Sequence, residues 1–234
     1  MKADPVGAMT RVEHQMCAHE RAVQIATGPL TLSGILGLPA GPRGIILFAH
    51  GSGSGRFSPR NQLVARHLQQ NGLATLLFDL LTPEEGNDRD KIFDIGLLAD
   101  RLILAASWLD HTPDMKGLGI GYFGASTGAG AALHAAALQP ALIRAVVSRG
   151  GRPDLAAPYL PSVTAPTLLI VGEQDESVMT CNHLAYERLV CEKKLLVISG
   201  ATHLFTEPGT LEQVADHACR WFQKHILRDL PQLS

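Results

Sequence analysis

Short apolar runs recur along the chain at residues 44–49, 74–79, 118–123, 145–148 and 167–172, with 195–199 a sixth, and none shows polar alternation. A strand with one wet face alternates with period two. An unbroken run suits a strand covered on both faces, the situation of a parallel sheet between two helix layers. Between the runs lie longer segments of helical period, which predict helices at about 59–70, 94–110, 127–138, 181–191 and 209–225, with Pro59, Gly72 and Pro140 among the boundary signals. In the second of these, Leu97, Leu98, Arg101, Leu102, Leu104, Ala105 and Trp108 form a broad apolar stripe predicted to pack on the sheet. Ahead of the first run, 21–27 and 30–37 read as two strands joined at Gly28 and Pro29, a hairpin at a sheet edge. The expected fold class is α/β: a doubly wound, mostly parallel sheet with helices on both faces, an antiparallel N-terminal hairpin and no large lid domain. Residues 1–20 are expected as an arm and 21–234 as one domain, because 234 residues at 46% hydrophobic content bury a sizeable core.

Charge narrows the partners. Lys plus Arg number 20 against 22 Asp plus Glu, a net charge of -2, which leaves no electrostatic footprint for nucleic acid or an acidic membrane. The apolar runs fall far short of the roughly 20 residues a bilayer demands. The expected partner is a small molecule, and the oligomeric state is not specified. Cys17, Cys181, Cys191 and Cys219 lack CxxC spacing, which predicts free thiols and a cytoplasmic protein.

In sheets of this kind ligands bind beyond the carboxyl ends of the strands, so the loops there carry the chemistry. After the run 118–123 comes Gly124-Ala125-Ser126-Thr127-Gly128, a G-x-S-x-G pattern between a strand and a helix. A turn that tight needs small neighbours, and it exposes Ser126 as a candidate nucleophile beside the positive end of a helix. Serine needs a base and an orienting acid at later strand ends. His203 follows the run 195–199, and Asp175 follows 167–172, preferred by position over Glu173 and Glu176. The Thr127 N–H is the first expected oxyanion donor, and the Ser52 N–H, or Gly53 in a shifted register, the second. His50 is expected to brace the loop 50–56.

Arg149 and Arg56 are candidates for holding a carboxylate or phosphate on a substrate. The competing reading pairs Arg149 and Arg152 structurally with Asp154. Gly119-x-Gly121-x-x-Gly124 copies a dinucleotide fingerprint but lies inside a strand, and Gly51-x-Gly53-x-Gly55 is followed by a helix only near Pro59. No cofactor is expected, and no metal, since the histidines lack ligand spacing.

With these motifs in order, the chain resembles the α/β-hydrolase family and, within it, the dienelactone hydrolase-like branch, over about residues 20–226. The resemblance rests on His50-Gly51, the turn around Ser126, Asp175, and the His203 segment THLFTEPG. It implies ester hydrolysis without metal or cofactor. One departure is the serine at 126, where dienelactone hydrolases proper carry a nucleophilic cysteine. A serine points toward a small carboxylic ester or thioester cleaved through an acyl-serine. The segment Ser148-Arg149-Gly150-Gly151-Arg152-Pro153-Asp154 resembles one in uncharacterised members, some fused to phosphoribosyltransferases. The short stretch between Ser148 and Thr167 predicts an open site. Alternatives on the same fold are a non-catalytic small-molecule-binding protein, or an acyltransferase or peptidase using the same three residues.

Overall fold

The computed structural model describes residues 19–27 and 30–226. One eight-stranded sheet is built from β1 (His19–Thr27), β2 (Leu30–Leu38), β3 (Ile45–Ala49), β4 (Ala74–Phe78), β5 (Ile120–Ala125), β6 (Ile143–Arg149), β7 (Thr167–Gly172) and β8 (Lys193–Ile198), in the order β1-β2-β4-β3-β5-β6-β7-β8. β1 pairs with β2, and β2 with β4, antiparallel; every later pairing is parallel. β1 begins inside the segment expected as an arm; residues 1–18 and the turn at 28–29 lie outside the described residues.

The helices are α1 (Pro59–Gln70), α2 (Arg89–Ile92), α3 (Ile95–Asp110), α4 (Thr127–Leu138), α5 (Glu176–Arg188) and α6 (Thr210–Ile226). Adjacent strand residues face opposite layers. Leu47, Tyr122, Val146 and Leu169 join the core under α3 and α4, while Phe48, Phe123, Val147 and Ile170 join the core under α1 and α6. That is why the central runs have no polar alternation; each fully buried aromatic or aliphatic side chain contributes about 1.5–3 kcal/mol.

Three expectations shift. β8 is the sheet edge, with only Ile198 buried and Val197 exposed, so its apolar run is not covered on both faces. On α3 Leu98, Arg101, Leu102 and Ala105 of the predicted stripe are buried, but the buried face also takes in Ala99, Ala106 and Leu109, while Leu104 is exposed and Trp108 half-buried. α5 opens at Glu176 rather than 181, with Asp175 at the N-cap position making no side-chain cap bond and Glu176 suited to the first turn, and it stops where Leu189 turns extended. Between β6 and β7 the chain makes only two short 3-10 turns, Pro153–Ala156 and Leu160–Ser162, and no lid.

Two local devices hold the carboxyl edge. The first is a backbone contact where β5 turns into α4: a Cβ on Gly124 would stand 2.4 Å from Ala129 Cα, and one on Gly128 2.2 Å from the Ala49 carbonyl oxygen. The second is His50, whose Nε2 accepts the Leu80 N–H at 3.0 Å, which leaves Nδ1 to donate to the Gly51 carbonyl, also at 3.0 Å. The imidazole thus ties the loop after β3 to the loop after β4, and burial holds its pKa below the ordinary 6.5.

Gly124→Ala is expected to cost about 3 kcal/mol or more in urea unfolding, since backbone rather than a yielding side chain blocks the new methyl. The depressed His50 pKa makes its contribution to stability complete above pH 6.5 and lost as pH falls through the lower folded-state value. Thermal melts from about pH 7 to about pH 5 should therefore fall more steeply for the wild type than for His50→Gln; parallel curves would refute this.

Candidate active site

The parallel register brings the strand ends into line. Ala49 sits opposite Gly124, Ala125 opposite Arg149, Arg149 opposite Ile170, and Gly172 opposite Ile198, so the loops carrying Gly51, Ser126, Gly150, Asp175 and His203 emerge along one edge.

Ser126 stands between β5 and α4 at φ 52 and ψ -123, a positive φ that costs a non-glycine residue about 1–3 kcal/mol. The surroundings over-determine it. Its N–H donates to Arg149 O at 3.3 Å, and its carbonyl accepts from Ala129 N at 3.1 Å and Arg152 N at 3.0 Å. Although it occupies the N-cap position, its hydroxyl makes no cap bond and stays available. Gly51 lies against it: a Cβ there would be 3.1 Å from Ser126 Cβ and 3.8 Å from Oγ. Thr127 opens α4, where an N–H has no preceding turn to bond and the helix end is positive. Its Oγ1 accepts the Ser52 N–H at 3.0 Å, which knits the loop after β3 to the helix start. Gly53 turns at φ 67 on the exposed tip of the same loop.

Asp175 and His203 meet directly. Asp175 also occupies a helix N-cap position, yet its carboxylate makes no cap bond; it accepts from His203 Nδ1 at 2.5 Å instead, with only 10% of the Asp175 side chain exposed. The other acids of that loop point elsewhere. Glu173 is bound by Ser199 Oγ at 2.9 Å and Gly200 N at 2.7 Å, the latter contact first in drawing its pKa down, and Glu176 is exposed. A carboxylate on Nδ1 fixes the imidazole tautomer and leaves Nε2 on the far side of the ring. Ser126 and His203 flank one corner: a Cβ on Gly150 would be 3.1 Å from His203 O and 3.6 Å from its Cε1, and the preceding Arg149 carbonyl holds the Ser126 N–H. No direct hydrogen bond joins Ser126 Oγ to His203 among the described residues.

Two supports of the histidine loop lie within the segment THLFTEPG, though no role was assigned to them from sequence. Glu207 accepts from Thr202 N at 3.1 Å and Oγ1 at 2.6 Å, bracing the turn before His203; the bond from the Thr202 hydroxyl is the main influence lowering the Glu207 pKa. Phe205, fully buried, adopts φ 54.

The arginines separate by partner. Arg56 donates its backbone N–H to Asp79 Oδ1 at 2.8 Å, its guanidinium pairs with the other oxygen, and it stacks over Phe57 at 4.3 Å. Arg152 binds Asp154 through two bonds of 2.8 and 2.7 Å. The structural pairing considered for Arg149 and Arg152 therefore holds for Arg152 alone; Arg149 is buried and meets the Phe205 ring at 5.8 Å.

A cavity of about 270 Å³ opens beside this corner, lined by Gly51, Ser52 and Thr127 on one side and by Leu81, Ile92 and Leu98 on the other. A second, of about 380 Å³, lies at the opposite end of the sheet around Gly119 and Ile226. Among the described residues no group of three His, Cys, Asp or Glu side chains could hold a metal ion, and no helix is long and apolar enough to cross a membrane.

Comparison with known proteins agrees with this architecture. The model of the dienelactone hydrolase family matches residues 32–227. Proteins of two Mycobacterium tuberculosis strains, named as candidate phosphoribosyl transferases, are 58% identical over 207 residues, covering 88% of this chain and 47% of theirs. The chain thus spans about half the length of those relatives. A dienelactone hydrolase from Anabaena variabilis is 56% identical, with a TM-score of 0.87 over 91% of this chain and 100% of that one. Est1E from Butyrivibrio proteoclasticus, at 17% identity, shares the fold with a TM-score of 0.73 over 87% of this chain and 98% of its own. With an α/β-hydrolase sheet, a serine at the strand-to-helix turn and a family match across nearly all the described residues, the chain belongs to the dienelactone hydrolase family.

Proposed function

We propose that this chain is a serine hydrolase that cleaves a small carboxylic ester or thioester through an acyl-Ser126 intermediate. The observation that carries the reading is the Asp175 carboxylate, which forgoes capping its own helix to hold His203 Nδ1 at 2.5 Å. In this mechanism His203 Nε2 takes the Ser126 proton as Oγ attacks the substrate carbonyl carbon, and Asp175 stabilises the imidazolium. The carbonyl oxygen becomes an oxyanion facing the Thr127 N–H at the positive end of α4, with the Ser52 N–H as second donor. Ser52 reaches that role by sharing or exchanging its bond to Thr127 Oγ1, and Gly53 supplies the alternative N–H on the same loop. Collapse breaks the bond to the leaving oxygen or sulfur, which takes the proton from His203; water, deprotonated by His203, then attacks the acyl carbon and restores Ser126.

The cavity of about 270 Å³ beneath Leu81, Ile92 and Leu98 suits a small acyl group, and the absence of a lid between β6 and β7 suits a soluble substrate. No step calls on a cofactor. The free thiols of Cys181, Cys191 and Cys219 support a cytoplasmic setting; Cys17 lies outside the described residues. The phosphoribosyl transferase activity in the relatives' name is assigned, in this reading, to the half of those proteins that the chain does not span.

A fluorophosphonate probe should form an adduct on Ser126, located by mass spectrometry and absent in Ser126→Ala; a well-folded wild type that takes no label would overturn the reading. Asp175→Asn should keep the fold and lose roughly 10³–10⁴-fold in kcat on short-chain esters, because the imidazole is no longer held in the required tautomer.

A further inference from the structure

The cavity of about 270 Å³ touches the candidate site on one side only. Ser52 and Thr127, whose N–H groups are the oxyanion donors of the reading above, line it, whereas His203 does not. His203 hands its proton to the departing atom, so the leaving group stands on the histidine side and the acyl chain runs into the cavity. The chemistry of the cavity wall then decides which acyl groups are taken.

One part of the wall is apolar, with Leu81, Ile92 and Leu98. The rest holds hydroxyls and two ionisable side chains, His50 and Asp79. His50 brings no positive charge: Nε2 accepts the Leu80 N–H, which a protonated ring cannot do, and Nδ1 is committed to the Gly51 carbonyl. Asp79 follows β4 directly, and its carboxylate is fixed in place. Oδ1 accepts the Arg56 N–H at 2.8 Å, Oδ2 meets the Arg56 guanidinium, and a Cβ on Gly55 would stand 2.7 Å from Oδ1. Arg56 itself is not part of the wall, and its guanidinium lies over the Phe57 ring. At the rim, the segment that supplies Pro83, Gly86 and Ile92 carries exposed Glu84, Asp88 and Asp90 against Arg89 and Lys91, so no positive field gathers there.

A carboxylate on the acyl chain would lose its water in a space with no cation in its wall, beside an acid whose own partner is already spent. An alkyl group of the same shape would instead gain by leaving water for leucine and isoleucine.

We propose that this cavity is an acyl subsite for uncharged aliphatic chains, and that Asp79 enforces the preference by occupying Arg56, which would otherwise offer its guanidinium to an acyl carboxylate. The assignment to the acyl group rests on the hydrolase reading above; the charge preference of the cavity does not.

Two esters of one shape test it: mono-4-nitrophenyl fumarate, with an acyl carboxylate, and 4-nitrophenyl trans-4-methylpent-2-enoate, with an isopropyl group in its place. With each rate divided by that for hydroxide, the neutral ester should lead by about 100-fold or more in kcat/KM. Asp79→Asn keeps an acceptor for the Arg56 N–H but releases the guanidinium, and should narrow the gap about tenfold or more through KM of the charged ester. Arg56→Gln should widen it. A pair that only fixes loop geometry would change both esters alike in either variant. 4-Acetoxybenzoate and 4-acetoxybenzamide, charged and neutral at the leaving group, should be used almost equally; discrimination there instead would overturn the acyl assignment. A fumarate ester used within about tenfold of the neutral one, or a gap that Asp79→Asn leaves unchanged, overturns the proposal. If no ester turns over, the hydrolase reading fails, and ligand-observed NMR decides the cavity: 4-methylpentanamide should bind more tightly than its charged isostere succinamate, and the reverse order, or no binding of either, counts against the charge preference. Should Asp79→Asn not fold, Arg56→Gln carries the decision, and a gap that does not widen defeats the proposal.

Discussion

The architecture depends on a contact without side chains. Where β5 becomes α4, main chain lies on main chain: Gly124 against Ala129, and Gly128 against the carbonyl of Ala49 on the neighbouring strand. Only that closeness lets the helix begin immediately after the strand, and only so abrupt a turn holds Ser126 at a positive φ with its hydroxyl outside the helix's own bonding. The strain is borne by bonds to Arg149, Ala129 and Arg152, so the corner between β5 and β6 is a single rigid unit.

Electrostatics along the carboxyl edge follow a common pattern. Three buried or half-buried arginines are neutralised pairwise: Arg56 with Asp79, Arg101 with Glu85 at 3.0 Å, Arg152 with Asp154. Such pairs set loop geometry without leaving net charge behind. Against that background the pairing of Asp175 with a histidine rather than an arginine is informative, because the cation it favours exists only when a proton arrives.

Much of this was legible in the residues. The unbroken runs at 44–49 and 167–172 indicated two-sided burial because period-two alternation is lost only when both layers are apolar, as Leu169 and Ile170 illustrate. α1 and α4 carry local signals, Pro59 behind Ser58 and the small residues after Ser126, and their ends match expectation. The first turn of α5 is not legible because Glu176 to Thr180 shows no apolar period. Apolar character alone cannot separate a central strand from an edge strand, which is why β8 was read as covered. At the site, Ser126, Asp175 and His203 are local features of strand ends. The pairing of Arg56 with Asp79 is not, since it joins the loops after β3 and β4.

The edge position of β8 divides the site mechanically. Ser126 grows from the middle of the sheet, whereas His203 follows its outermost strand, where Val197 meets solvent and, among the described residues, one ladder of amides has no neighbour. Local opening of a sheet begins at such margins. The histidine loop is held beyond its strand by main chain and side chains together: the Ala201 carbonyl accepts the Gln174 N–H at 2.9 Å, Asp175 binds the ring and Glu207 binds Thr202. The two halves of the candidate site thus differ in what holds them, a strand-to-helix turn buried in the sheet on one side and a loop bridged to the end of β7 on the other.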